Sequence, residues 1–454
     1  MIAVEAPMAV EEVRVERGKP RSARVGLLTP SGWGNLGDAA IQDAVIQAIR
    51  RYRPGAEICV FSLNPADTRI RHDIQADLLS GFSVVPGYSV AVGWNEQSEA
   101  GSGSESSTTK SSDTPAPGPS LARAALAKLG PQAEELLRRI YYDQAYLRRM
   151  RRKLRDFDLV MVSGGGQVDA EWGGAWGHPW TLAKWSLLCR SVGVRFVVLS
   201  VGVCALEDSV SRLFARIALR QADFVCFRDV NSLRRALQLH LVEHARVEPD
   251  LAFAYDGLDP EHWIEGEKDV VAVGPMAWCD PSVWPRRDEA AHLRYLEGLS
   301  EFVVAILQEG KHVLLVSSDN PDIRTVEWVA KKIRAEHPEL SSELETPRTE
   351  TVEEFLQVVS RAETMLASRL HGFLLAAGLG KPVLPLSYDP KVDSLARELG
   401  LSAYAENIAE FEAGKLLENF HRLQREHEHC REFLRTTVSA YRARLERLFA
   451  QSLR

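Results

Sequence analysis

Apolar positions along this chain follow two alternating rhythms. Short continuous runs, such as Arg24-Val25-Gly26-Leu27-Leu28, Leu159-Val160-Met161-Val162-Ser163 and Phe196-Val197-Val198-Leu199-Ser200-Val201, read as strands buried on both faces. Between them the period lengthens to that of a helix. Ile41, Ala44, Val45, Ala48, Ile49 and Tyr52 fall on one face and predict a helix over 38–53, with Asp38 placed to cap it and Pro54-Gly55 to end it. The alternation continues through strand 57–63, strand 159–163, a turn at Gly164-Gly165-Gly166, helix 182–193, strand 195–201, helix 209–222 and strand 224–227. It pauses at 255–268, where Gly257, Pro260 and Gly266 punctuate a polar stretch. It resumes with strand 270–274, strand 312–316, helices 327–336 and 352–360, strand 364–367, helix 372–378 and strand 383–386.

Repeated strand–helix alternation means parallel, doubly wound sheets. The fold class expected is α/β, with two Rossmann-like domains facing a cleft. The N-terminal domain covers 24–260 and the C-terminal domain 261–405. Closing helices follow over 406–454, and residues 1–23 form a mobile leading segment. Within the first domain, residues 95–120 are rich in Gly, Ser and Thr, cannot bury a core, and are expected to be a disordered insert. A helical stretch follows over 120–155. Its basic end, Arg148-Arg149-Met150-Arg151-Arg152-Lys153-Leu154-Arg155, reads either as a solvated helix face or as contact with an anionic acceptor or membrane surface.

Composition narrows the function. The 454 residues are 45% hydrophobic and 26% charged, with a formal net charge of -7, which argues against general nucleic-acid binding. Any anion site must then be local. The six cysteines are scattered without a C-x-x-C pair and read as small core residues, which fits a cytoplasmic setting. The first residues lack the basic and apolar regions of a signal peptide, and no apolar run is long enough to span a bilayer.

In doubly wound sheets ligands bind beyond the carboxyl ends of the strands, and the candidate chemistry gathers there. Gly32-Trp33-Gly34-Asn35-Leu36-Gly37-Asp38 leaves the first strand through a glycine-rich turn into a helix start, where backbone N–H groups favour an anion. It matches neither the dinucleotide fingerprint nor a Walker loop. Asp38 either caps that helix or holds a substrate hydroxyl. Gly164-Gly165-Gly166-Gln167-Val168-Asp169 is a second such turn. Arg369 and His371 leave a later strand two residues apart; one offers a bidentate fork to phosphate or carboxylate, the other a proton near neutral pH. Arg228 either adds a second cation or pairs with Asp229 or Asp223. Trp172, Trp176, Trp180 and Trp185 follow the Gly164 turn, and Trp278 and Trp284 follow the first strand of the second domain; their rings suit sugar stacking as well as core packing.

These pieces together resemble the polysaccharide pyruvyl transferase family. The resemblance is carried by Gly34-Asn35-Leu36-Gly37-Asp38 with Ala40-Ile41, the Gly164-Gly165-Gly166 turn, Arg228-Asp229 with Ser232, and Pro249-Asp250-Leu251-Ala252-Phe253. It continues in Ser368-Arg369-Leu370-His371-Gly372, Gly380-Lys381-Pro382 and Tyr388-Asp389-Pro390-Lys391. The resemblance implies a fold like that of two-domain GT-B glycosyltransferases. It also implies transfer of pyruvate from phosphoenolpyruvate to sugar hydroxyls as a ketal, with release of phosphate. It places donor binding on Arg369, with Leu370 between it and His371, and on Arg228. Asn35, Gly34, Gly37, Gly165, Gly166 and Lys391 are further binding candidates, and Trp172, Trp176 and Trp278 are candidates for the acceptor. His371 is the expected general acid, with Asp38 or Asp169 orienting or deprotonating the hydroxyl. No metal and no cofactor beyond the donor are expected, and the partners are phosphoenolpyruvate and a saccharide or lipid-linked saccharide. The insert near 95–120 and the tryptophan-rich stretch at 172–185 depart from the family pattern and bear on the acceptor. A nucleotide-sugar glycosyltransferase of the same architecture is the alternative. Its pair of glutamates eight residues apart is matched only by Glu345 and Glu353, which lie upstream of the wrong strand. A non-catalytic glycan-binding relative is a third reading, which Arg369, His371 and Asn35 oppose.

Overall fold

The computed structural model describes residues 22–32, 34–80, 131–171, 173–204 and 206–454, with side chains described from 143 onward in the helix that opens at 131. Nearly all of the leading segment 1–23, the insert near 95–120 and Trp172 lie outside the described residues.

Strands β1 (Arg24–Leu28), β2 (Glu57–Ser62), β3 (Gln75–Leu78), β4 (Leu159–Val162), β5 (Gly165–Val168), β6 (Arg195–Val203), β7 (Phe224–Phe227) and β8 (Arg246–Val247) form one sheet. Its order is β3-β2-β1-β4-β6-β7-β8, with β5 also paired to β6, and every pairing is parallel. The second sheet contains β9 (Glu267–Gly274), β10 (His312–Leu315), β11 (Leu344–Glu345), β12 (Ala362–Ala367), β13 (Val383–Ser387) and β14 (Glu406–Asn407). Its order is β11-β10-β9-β12-β13-β14, again all parallel. In each sheet the chain winds outward from a central strand and then returns to that strand's other side. The resulting switch points lie between β1 and β4 and between β9 and β12.

The helices that cross these sheets are α1 (Leu36–Tyr52), α2 (Pro65–His72), α3 (Pro131–Leu154), α4 (His178–Val192), α5 (Ser209–Gln221), α6 (Val230–Gln238), α7 (Glu289–Gln308), α8 (Ile323–Glu336), α9 (Val352–Arg361), α10 (Leu370–Gly378), α11 (Pro390–Glu398), α12 (Ala413–Arg425) and α13 (His427–Ser452). Two local readings are corrected. Asp38 does not cap α1; Asn35 does, its side chain accepting from Gly37 N at 2.9 Å and Asp38 N at 3.2 Å. The Gly164-Gly165-Gly166 turn is confined to Gly164 and Gly165, both at positive φ, and Gly165 and Gly166 already belong to β5.

The core does not divide cleanly between the sheets. Ile41 and Val45 of α1, Leu251 and Phe253 of the connecting turns, and Leu374 of α10 belong to one buried cluster with residues of both. The closing helix α13 returns to the first sheet's side. Its Arg444 meets Glu248, its Arg442 donates to the Phe253 and Tyr255 carbonyls at 3.0 and 2.8 Å, and Arg53 donates to the Leu453 carbonyl just beyond it. All six cysteines are free, and five are buried. Among the described residues no helix is long and apolar enough to cross a membrane.

Candidate active site

Both switch points open on the same crevice. The loop after β1 and the start of α1 meet the loops after β10 and β12. Leu36 N donates to the Ser318 carbonyl at 2.9 Å, and Asn35 Nδ2 reaches Asp319 Oδ2 at 3.5 Å. Glycine is required at the two tightest contacts. A Cβ on Gly37 would sit 2.0 Å from His371 Cγ, and one on Gly34, whose φ is +84°, would sit 2.1 Å from Asn320 Nδ2. The two segments singled out at opposite ends of the sequence are therefore packed ring against backbone.

Arg369 occupies the cap position of α10 without capping it. Its fork is spent on a buried partner that the sequence did not reveal: Nε and Nη2 donate to Asp322 Oδ2 and Oδ1 at 2.7 and 2.8 Å. Asp322 is fully buried and also accepts from Ala277 N at 2.7 Å, so it fixes the guanidinium in place. Nη2 lies 3.3 Å from Asp319 Oδ2, and the guanidinium stands 6.0 Å from the Trp284 ring centroid. Nη1 is the edge these contacts leave to a ligand.

His371 begins the second residue of α10, and its Nε2 is shielded from solvent without a hydrogen-bond partner. Burial pushes the imidazole down to about 4, with Arg228, Lys391 and Arg369 acting in the same direction and Asp250 against it. Arg228, leaving β7, is buried and lies 3.6 Å from both Asp229 Oδ2 and Asp250 Oδ2; Asp223, the other expected partner, instead accepts from Phe196 N at 2.7 Å. Lys391, one residue into α11, lies over the Tyr388 ring at 5.0 Å and 3.8 Å from Asp389. Asp38 faces the same space beside Gly165, whose added Cβ would be 3.5 Å from Asp38 Oδ1. Burial, with Asp319 and Asp250 nearby, raises its carboxyl to about 7. Asp319 rises to about 6, chiefly through burial. Asp169 is buried at the end of β5; its Oδ1 accepts from Glu171 N at 2.7 Å, and burial raises its pKa while Lys391 lowers it.

A small open recess adjoins this cluster, walled by Arg228, Asp250, Leu370, Lys391, Glu398 and Tyr441 among others. The structure thus brings Asn35, Gly37, Asp38, Arg228, Arg369, Leu370, His371 and Lys391 to one place. Asp250, Asp319, Asp322 and Trp284 join them. The first three were hidden because each also reads as a loop or helix-cap aspartate.

The tryptophans part company. Trp185 is a core residue, fully buried, with its ring 4.4 Å from Phe61 and its Nε1 donating to the Leu79 carbonyl. Trp180 lies in α4, and its Nε1 donates to Asp143. Trp176 stays half exposed, edge-on to Trp180 and Phe214. Trp278 packs edge-on to Tyr295 at 6.1 Å, and Tyr295 in turn reaches Ser368, next to Arg369.

Two all-parallel sheets whose switch points share one crevice define a two-domain α/β protein of GT-B-like architecture. The chain belongs to the polysaccharide pyruvyl transferase family, whose model matches residues 35–390. No curated protein matches the sequence. Among solved structures, the chain is similar to a glycosyltransferase from Rickettsia africae, at 11% identity and a TM-score of 0.51 over 95% of this chain and 99% of that one. It is similar to the UDP-GlcNAc 2-epimerase of Methanocaldococcus jannaschii, at 11% identity and a TM-score of 0.52 over 88% and 92%. A UDP complex of S. aureus MnaA aligns at 12% identity and a TM-score of 0.50 over 91% and 90%. At these identities the likeness is one of fold. Family and fold together support a transferase.

Proposed function

We propose that this protein moves the enolpyruvyl group of phosphoenolpyruvate onto two hydroxyls of a saccharide or glycoconjugate, forming a pyruvate ketal and releasing phosphate. The observation that carries this reading is the convergence on His371 of three cations from three different strand ends: Arg228, Arg369 and Lys391. The first N–H groups of α1, expected to receive an anion, are taken by the Asn35 side chain and the Ser318 and Asn35 carbonyls, so anion binding falls to the cations. A donor bearing both a phosphate and a carboxylate suits that set, because each anion takes its own cation.

The proton inventory suits it too. The two attacking hydroxyls give up two protons; one is needed at C3 of the donor and the other leaves with phosphate. His371 is suited to deliver the C3 proton. In the free site burial, with the neighbouring cations, holds it neutral, and an arriving polyanion offsets the cations and favours its protonated form. Asp38, held near neutrality between its two forms, and Asp169 are suited to orient the hydroxyls.

Incubation with phosphoenolpyruvate and a panel of saccharide acceptors tests this: the expected result is acceptor-dependent phosphate release. No release, together with hydrolysis of a UDP- or GDP-sugar, contradicts it and favours the glycosyltransferase alternative. The site favours the first reading. Glu345 is bound to Arg361 and His312 at the edge of the second sheet, and Glu353 is exposed, so the spaced glutamates of the alternative are not at the crevice.

A further inference from the structure

We propose that Asp250 is the carboxylate that receives the proton of the attacking hydroxyl, across a gap of one oxygen atom from His371. This rests on the phosphoenolpyruvate reading above and assigns the proton acceptor within it.

Asp250 is 7% exposed. Its two oxygens differ. Oδ1 caps the turn Leu251–Ala254 by accepting from Ala252 N at 3.0 Å. Oδ2 is shielded from solvent and makes no hydrogen bond. The same holds for His371 Nε2, which lies 3.9 Å from that oxygen, while Arg228 Nη1 approaches it to 3.6 Å. A buried polar atom left unpaired is costly, so two facing each other mark a place where a ligand completes the structure. The separation is too long for a direct hydrogen bond, and an oxygen set off the line between them would reach both at hydrogen-bond distance. A hydroxyl suits both sides, since it donates to a carboxylate and accepts from an imidazole N–H.

Asp250 also borders the open recess, together with Arg228, Leu370 and Lys391. The segment carrying it is clamped. Ser200, at φ +48° within β6, donates its hydroxyl toward the Pro249 carbonyl at 2.5 Å and the Glu248 carbonyl at 3.2 Å. Asp38 and Asp169 lack this combination: neither has a side-chain oxygen that is both shielded from solvent and without a hydrogen bond, as Asp250 Oδ2 is.

In the step proposed, the hydroxyl oxygen bonds to donor C2 and its O–H bond breaks. The electron pair stays on oxygen and the proton goes to Asp250 Oδ2. The C2=C3 π pair forms the new C3–H bond with the proton from His371. The proton on Asp250 then passes to His371, restoring both groups. The second hydroxyl displaces phosphate, which leaves with the C2–O bonding pair and takes up that hydroxyl's proton. No other reactant is needed.

Asp250→Asn keeps the side chain's shape and the Oδ1 cap while removing the basic oxygen. The expected result is a fall in kcat for acceptor-dependent phosphate release of about 10²-fold or more. Phosphoenolpyruvate Kd by titration calorimetry should stay within about threefold, and Asp250→Glu should recover at least about tenfold over the Asn variant. Asn-variant turnover within about threefold of wild type overturns the proposal. So does loss of phosphoenolpyruvate binding in both variants with no recovery by Glu, the outcome of a merely structural role. A wild type that neither binds phosphoenolpyruvate nor releases phosphate overturns the donor assignment as well, and is thereby distinguished from failure of Asp250 alone.

Discussion

At the scale of single residues, Gly37 and His371 form the contact on which the site depends. A Cβ at Gly37 overlaps the imidazole, so Gly37→Ala must push His371 aside. A displacement of this order at a reacting group costs about 10²-fold in rate, and we expect that loss in kcat with the fold retained by circular dichroism. His371→Ala is expected to abolish turnover while the protein still folds; wild-type rates in that variant would remove His371 from the mechanism. Arg369 and His371 were legible in the sequence because a strand end followed by a helix start aims alternate residues into a crevice. The partners that set their behaviour were not. Asp322 lies 47 positions before Arg369, and only the placement of β10 beside β9 brings it under the guanidinium. Asp250 reads in sequence as the cap of a short turn, which it is; its second oxygen matters only once α10 is packed against it. Trp185 illustrates the reverse case, since a ring suited by type to sugar stacking as well as to core packing fills the core.

At the scale of elements, the first turn of α1 couples helix stability to the site. Asn35 both caps α1 and reaches toward Asp319. Asn35→Ala is therefore expected to cost about 1 kcal/mol in urea unfolding, the usual worth of such a cap. An unchanged midpoint would mean that the cap contributes nothing to the fold. Both Asn35 and Asp38 are good capping residues, and the sequence alone does not choose between them. The choice is made by the chain's exit from β1 through Gly34 at positive φ, which starts the helix at Leu36. The long central strands and α1 are plain in the pattern because their apolar runs are unbroken. Helices α2, α7 and α11 go beyond the elements the pattern predicts. Short α2 and α11 carry few apolar residues, and α7 follows a Pro- and Trp-containing stretch that masks its start.

At the scale of the whole molecule, two sheets, a shared core and a returning helix hold four aspartates and three cations around one histidine. This arrangement leaves a pH signature. The Asp38 carboxyl rises from 3.8 to about 7 on folding. The folded state then holds that proton more tightly, so Asp38's contribution to stability is full at low pH and is lost as pH rises from about 4 to 7. Asp38→Asn does not titrate, so its melting temperature should overtake that of wild type across this window, by about 1 °C at the alkaline end for each kcal/mol recovered. A constant difference between the two at every pH would show that Asp38 is not held protonated. The two-domain architecture was legible from alternation alone, whereas the continuous core and the closing helix's return to the first sheet depend on contacts far apart in sequence. The central claim is a transfer chemistry, and the product tests it most directly. Mass spectrometry of a saccharide acceptor incubated with the protein and phosphoenolpyruvate should show the gain of one pyruvate less one water, matched by one phosphate released. An unmodified acceptor across the panel, with phosphoenolpyruvate intact, would contradict the account.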